Sequence, residues 1–145
     1  MKCFSTCDRF IDYAHTFLGT PYLWGGDNSS GLDCSGYVIE CLHGIGAVPS
    51  GFDTTANGLL KKYEKQESQQ PTIGGLFFYM KEDKAYHVGI CIGSRLAWSA
   101  SGGGDKTINI REAWDQNAFI RQHKIKSDNV RFVNLFEPDT GDLII

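Results

Sequence analysis

The sequence predicts an α+β fold in which N-terminal helices pack on a central antiparallel β-sheet. Two observations predict it. Apolar residues recur at helical spacing as far as residue 63, and after a polar, proline-containing segment at residues 64–72 they form the short runs typical of strands. At 145 residues the chain is near the commonest size for one compact unit, so we expect a single domain over residues 1–145.

The first predicted helix begins after Ser5, because Ser5 and Asp8 have the spacing of a capping box with Asp in place of Glu. Gly19 and Pro21 then stop the helix. The apolar residues that recur along it are Phe10, Ile11, Ala14, Phe17 and Leu18.

A second helix begins at Cys34, directly after a loop rich in glycine, serine, aspartate and aromatic residues, and ends at Gly44 or Gly46. A shorter third helix covers residues 54–63. The buried stripe of the second helix consists of Val38, Ile39, Leu42 and Ile45.

Strands are predicted in the second half of the chain. They cover residues 76–80, 86–92, 96–100, 106–110 and 130–135. Because consecutive strands with apolar faces pair readily through short turns, the sheet is expected to be antiparallel.

The second and third of these strands form a hairpin whose register follows from its side chains. A three-residue turn at residues 93–95 places Val88 and Ile90 on one apolar face with Trp98, whereas a two-residue turn mixes the two faces. The first register leaves His87 on a face of small residues. Ser99 then lies diagonal to His87, within side-chain reach.

Composition and charge exclude several classes of protein. Hydrophobic residues make up 41% of the chain and charged residues 21%, which argues against disorder, collagen and coiled coil. The net charge of −3 argues against a general nucleic-acid binder. No apolar run approaches the roughly 20 residues of a membrane span. The first residues lack the apolar core of a signal peptide, so we expect synthesis in the cytoplasm and delivery by another route.

The chain has five cysteines, and an odd number argues against a disulfide framework. Cys3 and Cys7 lie four residues apart without a CxxC pair, so we predict neither a metal site nor a cofactor. Cys41 and Cys91 lie inside apolar runs and are expected to be buried. Cys34, at the start of a helix, is the exception.

Cys34 is the candidate nucleophile. A helix N-terminus favours negative charge and is expected to lower the pKa of the thiol, and Gly31 and Gly36 leave room for a substrate backbone. His87 on its strand can serve as the base and Ser99 as the third group that orients it, an arrangement of the papain type. From the residues alone, a buried core cysteine and a structural histidine stay open as alternatives.

Four segments of the chain resemble the NlpC/P60 family of cell-wall cysteine peptidases in their sequence, order and spacing. They are GTPYLWGG, LDCSGYV, GGLFFY and HVGICIG. The resemblance extends from about Cys7 to Ser101 and implies a papain-like fold. It implies that Cys34 is the nucleophile and His87 the general base. It also implies that Tyr22 helps to hold the site and the oxyanion.

The same resemblance implies the substrate, which is the amide bond between γ-D-glutamate and a diamino acid in the stem peptide of bacterial peptidoglycan. Asp33, Ser35 and Tyr22 then receive the free amine of that peptide, since a carboxylate and hydroxyls suit an ammonium group. Trp24, from the same aromatic block as Tyr22, is a further candidate for substrate contact. Ordinary packing is the alternative for both aromatic residues.

Two positions depart from the family's pattern. Twelve residues after the base, where the family usually has His, Asn, Gln or Glu, this chain has Ser99, which carries no charge and has a short reach. Where the family usually has Gly-Asp-Leu, this chain has Gly-Gly-Leu at residues 74–76, which we expect to alter a loop without removing the chemistry. The remaining histidines, His15, His43 and His123, are interpreted as having no role in the site.

The chain carries no recognisable wall-binding repeat. This is typical of stand-alone hydrolase domains of phages, either lysins or tail components, and of secreted interbacterial effectors. Peptidoglycan is therefore the expected partner, together with phage tail proteins in the second case, and the bacterial cell wall is the expected place of action. The alternatives are a catalytically degenerate binding module, a different Cys–His amidase or acyltransferase on the same scaffold, and a structural phage-tail plug.

Overall fold

Most helices precede most strands in the computed structural model of the chain, which describes residues 4–24, 27–28, 31–102 and 107–144. The helices are α1 (Thr6–His15), α2 (Cys34–Gly44), α3 (Ala56–Tyr63) and α4 (Ile110–Asp115), and a 3-10 turn covers Glu64–Gln66. The strands are β1 (Asp27–Asn28), β2 (Gly31–Leu32), β3 (Glu67–Ser68), β4 (Leu76–Lys81), β5 (Lys84–Cys91), β6 (Leu96–Ser101), β7 (Phe119–Lys124) and β8 (Val130–Val133).

Strands β3 to β8 form one antiparallel sheet in the order β3-β8-β4-β5-β6-β7, while β1 and β2 pair separately just before α2. Helix α2 lies against β5 and β6, and α3 lies against β5. The main core joins the helices to this face of the sheet, with Phe10 of α1, Leu42 of α2, Val88 and Ile90 of β5 and Ala100 of β6 among its buried members. The predicted α+β fold with an antiparallel sheet is therefore confirmed.

The opposite face of the sheet carries a second, smaller apolar cluster. Phe77 and Tyr79 of β4, Cys91 of β5 and Ala97 of β6 are buried there. The partly buried side chains that cover this cluster are Ile125, Val130 and Phe132. Because side chains alternate across a strand, this is also the face that carries His87.

The register of the β5–β6 hairpin is the one that a three-residue turn requires. Ile90 pairs with Trp98 and Cys91 with Ala97, and the Ile92 amide donates to the Leu96 carbonyl at 2.9 Å. The predicted register is thus confirmed. It places His87 and Ser99 on one face and Val88 and Ile90 on the other, as a period of two demands.

The start of α1 is the predicted capping box. The Ser5 hydroxyl accepts from the Asp8 amide at 3.1 Å, and the Ser5 amide donates to the Asp8 carboxylate at 3.0 Å. The helix ends at His15, three residues before the apolar pattern does, although Phe17 beyond it is still buried. Gly19 follows with φ of +91°, a left-handed conformation that suits glycine.

The predicted strand over residues 106–110 is wrong. Lys106 lies outside the described residues, residues 107–109 are not in a strand, and Ile110 begins α4. The Asn109 side chain accepts from the Glu112 amide at 2.9 Å, which starts a helix where the apolar residues suggest a strand. Strand β7 was not predicted, and the strand predicted over residues 130–135 is confirmed for β8.

Cys7, Cys34, Cys41 and Cys91 are free thiols, and Cys3 lies outside the described residues. Cys41 and Cys91 are buried, as predicted. Within the ranges that the structure describes, no helix has the length and apolar character needed to cross a membrane.

We expect the Ser5→Ala variant to unfold with a free energy lower by about 1 kcal/mol, because the Asp8 amide loses its capping acceptor. Urea denaturation followed by circular dichroism measures this change. Ser94→Ala, in the exposed turn of the hairpin, is the matched control and should leave the midpoint unchanged. Equal midpoints for all three proteins would show that the cap contributes nothing.

Candidate active site

Cys34 is the first residue of α2, and the side chain of the preceding residue caps the helix. The Asp33 carboxylate accepts from the Gly36 amide at 2.7 Å and from the Ser35 hydroxyl at 3.4 Å. This cap fixes the direction of the helix start, so it also fixes where the Cys34 side chain projects. The predicted position of Cys34 at a helix N-terminus is confirmed.

The electrostatics of Cys34 differ from the expectation. Burial raises the pKa of the Cys34 thiol to about 11, and the nearby Asp33 carboxylate adds to the rise. Backbone hydrogen bonds at Val88, Ser35 and Cys34 itself favour the thiolate, but they are the weaker influence on this pKa. Desolvation therefore outweighs the helix terminus, and the sulfur carries its proton at neutral pH.

His87 lies on β5 with its ring held on several sides. Its Nε2 is 3.1 Å from the Ser99 hydroxyl. The ring stacks on Tyr79 with centroids 5.5 Å apart and planes inclined by 22°, and the Phe77 ring centroid lies 5.8 Å away. Burial lowers the pKa of His87 to about 4, with His123 and Lys126 adding to the decrease, so the ring is neutral at neutral pH and can accept a proton.

Cys34 and His87 line the same open cavity, whose volume is about 610 Å³. A second cavity of about 480 Å³ adjoins it and is lined by Asp33, Ser35 and Cys34. Cys34 therefore lies where two concave spaces meet, with room on either side of the sulfur.

Tyr22 and Trp24 line both cavities. Tyr22 is buried, and its amide donates to the Ala118 carbonyl at 2.9 Å. Trp24 is 56% exposed, and its amide donates to the Thr107 carbonyl at 2.7 Å. The Trp24 indole is therefore exposed at both cavities, whereas Tyr22 forms part of their wall.

Ser99 is fully buried and bonded on two sides. Besides His87 it contacts His123, whose Nε2 lies 2.6 Å from the Ser99 hydroxyl. The other ring nitrogen of His123, Nδ1, is 3.0 Å from the Lys124 carbonyl oxygen. The sequence places Ser99 beside His87, which is confirmed, but the interpretation of His123 as unrelated to the site misses this contact.

His123 was missed because β7 was missed. The segment FIRQHK is largely polar, so no apolar run reveals a strand. Once β7 is paired with β6, Ala97 is opposite His123 and Ser99 is opposite Arg121, which puts His123 and Ser99 on one face as diagonal neighbours. His15 and His43 contact none of these residues: the His15 ring lies 5.4 Å from Trp98, and His43 lines a separate small cavity.

Gly89 makes the close packing around Ser99 possible. A Cβ built there would lie 2.4 Å from an atom of the Phe77 ring and 2.6 Å from the Ser99 Cβ. Any larger residue must displace one of the two. The glycine therefore keeps Phe77 underneath both histidines, since the same ring lies 5.6 Å from His123.

Gly75 stands where the resemblance leads one to expect aspartate. Its amide donates to the Thr72 carbonyl at 2.9 Å, and a Cβ there would lie 2.7 Å from the Val133 carbonyl oxygen. This backbone path has no room for an aspartate side chain. The altered loop expected at residues 74–76 is therefore a tight turn against β8.

Comparison with known proteins agrees with the motifs. The family model described as "NlpC/P60 family" matches residues 19–130. The probable peptidoglycan endopeptidase LytE of Bacillus subtilis is 30% identical over 107 residues, which are 73% of this chain and 30% of LytE. A gamma-D-glutamyl-L-lysine dipeptidyl-peptidase of Bacillus cereus is 32% identical over 91 residues, which are 59% of this chain and 26% of the relative. The chain spans less than a third of the length of either protein.

Among solved structures, RipD of Mycobacterium tuberculosis superposes with a TM-score of 0.65 at 17% identity, covering 92% of this chain and all of RipD. RipD is described as a non-catalytic NlpC/p60 domain protein adapted to peptidoglycan binding. At this identity the likeness concerns the fold alone. It agrees with the papain-like α+β arrangement that the sequence predicts.

We expect Gly89→Ala to destabilise the fold by about 1–3 kcal/mol, because the added methyl group overpacks the space between Phe77 and Ser99. Gly93→Ala is the matched control, since a Cβ at that glycine of the same hairpin meets nothing within 4 Å. Thermal unfolding of the two variants beside the unchanged protein measures the difference. Similar losses in both variants would contradict the close packing at Gly89.

A second prediction concerns the protonation of Cys34. With a thiol pKa of about 11, its alkylation by iodoacetamide should rise by about tenfold per pH unit between pH 7 and pH 10 without a plateau. Asp33→Asn keeps a capping side chain but removes the carboxylate that raises this pKa, so its rates should be higher at each pH. Mass spectrometry of the Cys34 peptide gives the rates. A plateau below pH 8 would instead indicate a thiolate–imidazolium pair at rest.

Proposed function

The chain belongs to the NlpC/P60 family, and on that premise we propose that it is a cysteine peptidase that hydrolyses amide bonds in bacterial peptidoglycan stem peptides. The observation that carries this proposal is the shared cavity of Cys34 and His87, whose wall holds both a partly buried thiol and a neutral imidazole. Nucleophile, base and a partner for the base are thereby within one site, which is the minimum for acyl transfer through a thioester.

In the proposed reaction, His87 takes the proton of the Cys34 thiol as the sulfur attacks the substrate carbonyl. Proton transfer accompanies attack, because both groups are neutral before substrate binds and a separated ion pair is costly in a partly buried site. Backbone amides at the start of α2, together with Tyr22, stabilise the oxyanion. His87 then protonates the leaving amine, and water releases the acid from the thioester.

The proposed bond is the γ-D-glutamyl link to the diamino acid, in line with the activity for which the Bacillus cereus relative is named. The charges of the two cavities support a direction for the peptide. Asp33 and Asp53 line the smaller cavity, which suits the free amine of the stem peptide, with Ser35 beside them. Among the described residues no carboxylate lines the larger cavity, which would hold the leaving side of the substrate.

A non-catalytic, peptidoglycan-binding role is the second candidate. It is favoured by one observation, the serine at residue 99, since a serine gives the base no charge of its own. A different Cys–His amidase or acyltransferase on the same scaffold is a third. Action at the cell wall, and a role as phage lysin, tail component or delivered effector, stay predictions from the sequence.

The deciding experiment is digestion of purified peptidoglycan followed by mass spectrometry of the fragments. We expect the unchanged protein to create new N-terminal diamino-acid ends and Cys34→Ala to create none. Cys7→Ala, which removes a thiol that lines neither cavity, is the matched control and should keep full activity.

Every other outcome contradicts the proposed peptidase activity, and the products distinguish the alternatives. Free lactyl groups would indicate an amidase, and acylated products an acyltransferase. Binding without any cleavage would indicate the non-catalytic role. Cleavage that persists in Cys34→Ala would exclude Cys34 as the nucleophile.

A further inference from the structure

We propose that His123 is a positioning residue that acts through Ser99 to hold His87 in the tautomer able to deprotonate Cys34. The inference rests on the proposed function, since it gives a role to a residue outside the Cys–His pair. Its basis is a continuous line of four groups: the Lys124 carbonyl, the His123 ring, the Ser99 hydroxyl and the His87 ring.

The direction of each hydrogen bond follows from the end of this line. The Lys124 carbonyl oxygen can only accept, so Nδ1 of His123, which lies 3.0 Å from it, carries the hydrogen and donates. A neutral His123 then has a lone pair on Nε2. Because Nε2 can only accept in that form, the Ser99 hydroxyl donates to it across 2.6 Å.

The same logic continues to the base. Having donated its hydrogen to His123, the Ser99 hydroxyl offers a lone pair to His87, so Nε2 of His87 carries the hydrogen across 3.1 Å. The lone pair of His87 is therefore on Nδ1, the ring nitrogen that Ser99 does not occupy. This is the nitrogen left for the cavity that His87 shares with Cys34.

His123 is held in the neutral state that this direction requires. Burial lowers its pKa, and Arg121 and Lys126 add to the decrease, although the Lys124 carbonyl opposes it. Within the described part of the chain, Ser99 on β6 and the edge-on Phe77 ring on β4 also contact the His123 ring, and neither carries a charge. At neutral pH each hydrogen bond between His87, Ser99, His123 and the Lys124 carbonyl therefore has a single donor and a single acceptor.

This arrangement compensates for the limited ability of a serine at residue 99 to orient the His87 ring. A serine alone can donate to or accept from His87, so by itself it leaves both tautomers of the imidazole available. With His123 behind it, the hydroxyl is committed as a donor on one side and an acceptor on the other. Two residues on neighbouring strands thus share the orienting role that a single polar side chain otherwise has.

The competing explanation is that His123 only satisfies the buried Ser99 hydroxyl and fills space beside Phe77. That explanation predicts a loss of stability in His123→Ala with no change in the tautomer of His87. Positioning predicts a change in both the tautomer and kcat. The two explanations therefore differ in what a substitution does to a ring two groups away.

The test compares the unchanged protein with Ser99→Ala, His123→Ala and the double variant, with His43→Ala as the histidine control on α2. In peptidoglycan-fragment hydrolysis we expect His123→Ala to lower kcat by about tenfold, part of the 10²–10⁴ that general-base catalysis supplies, with KM nearly unchanged. The double variant should be no slower than Ser99→Ala, because His123 acts only through that hydroxyl. Multiplied losses in the double variant, or an unchanged kcat in His123→Ala, would overturn the proposal.

Nitrogen-15 NMR of histidine-labelled protein supplies a readout that needs no substrate. We expect the Nε2–H tautomer of His87 in the unchanged protein and in His43→Ala, and a mixture of tautomers in His123→Ala. An unchanged tautomer in His123→Ala would refute positioning even if the protein cleaves peptidoglycan. A shifted tautomer in a protein that cleaves nothing would leave the positioning intact and refute the proposed function alone.

Discussion

A single buried hydroxyl, that of Ser99, connects the His87 imidazole to the edge strand of the sheet through hydrogen bonds to two histidines. Ser99 is fully buried, so its hydroxyl has to be satisfied by protein groups. The two histidines do so from opposite sides, while Gly89 lets Phe77 lie close below. The position of His87 therefore depends on three adjacent strands, β5, β6 and β7.

Burial also sets the charge state of the site. It raises the pKa of the Cys34 thiol and lowers that of His87, so both groups are neutral before a ligand arrives. A buried ion pair would need compensating hydrogen bonds, and the Asp33 carboxylate beside the thiol disfavours the thiolate further. In the proposed reaction, activation therefore occurs only in the complex with substrate, where an oxyanion takes up the charge and the leaving group takes up the proton.

Local signals made much of the site predictable. The Asp-Cys-Ser-Gly segment predicts a capped helix start. The alternation of apolar residues over residues 86–100 predicts the hairpin register, which brings Ser99 beside His87. The pKa of Cys34 was not predictable, because desolvation depends on groups that close over the thiol from distant parts of the chain. Helix α4 and strand β7 were not predictable either, since FIRQHK becomes a strand only by pairing with β6.

Strand β7, which the sequence did not predict, also supplies the second hydrogen-bond partner of Ser99. The spacing of a motif compares residues within one segment of the chain. It therefore identifies Ser99 as the partner of His87 and suggests that the imidazole is less well oriented. A sheet, however, offers each side chain a neighbour across either adjacent strand, and Ser99 has His87 on one side and His123 on the other. A histidine absent from the expected position on β6 can thus be supplied diagonally from β7. A departure from a linear motif is evidence of lost chemistry only after the neighbouring strands have been searched for the same group.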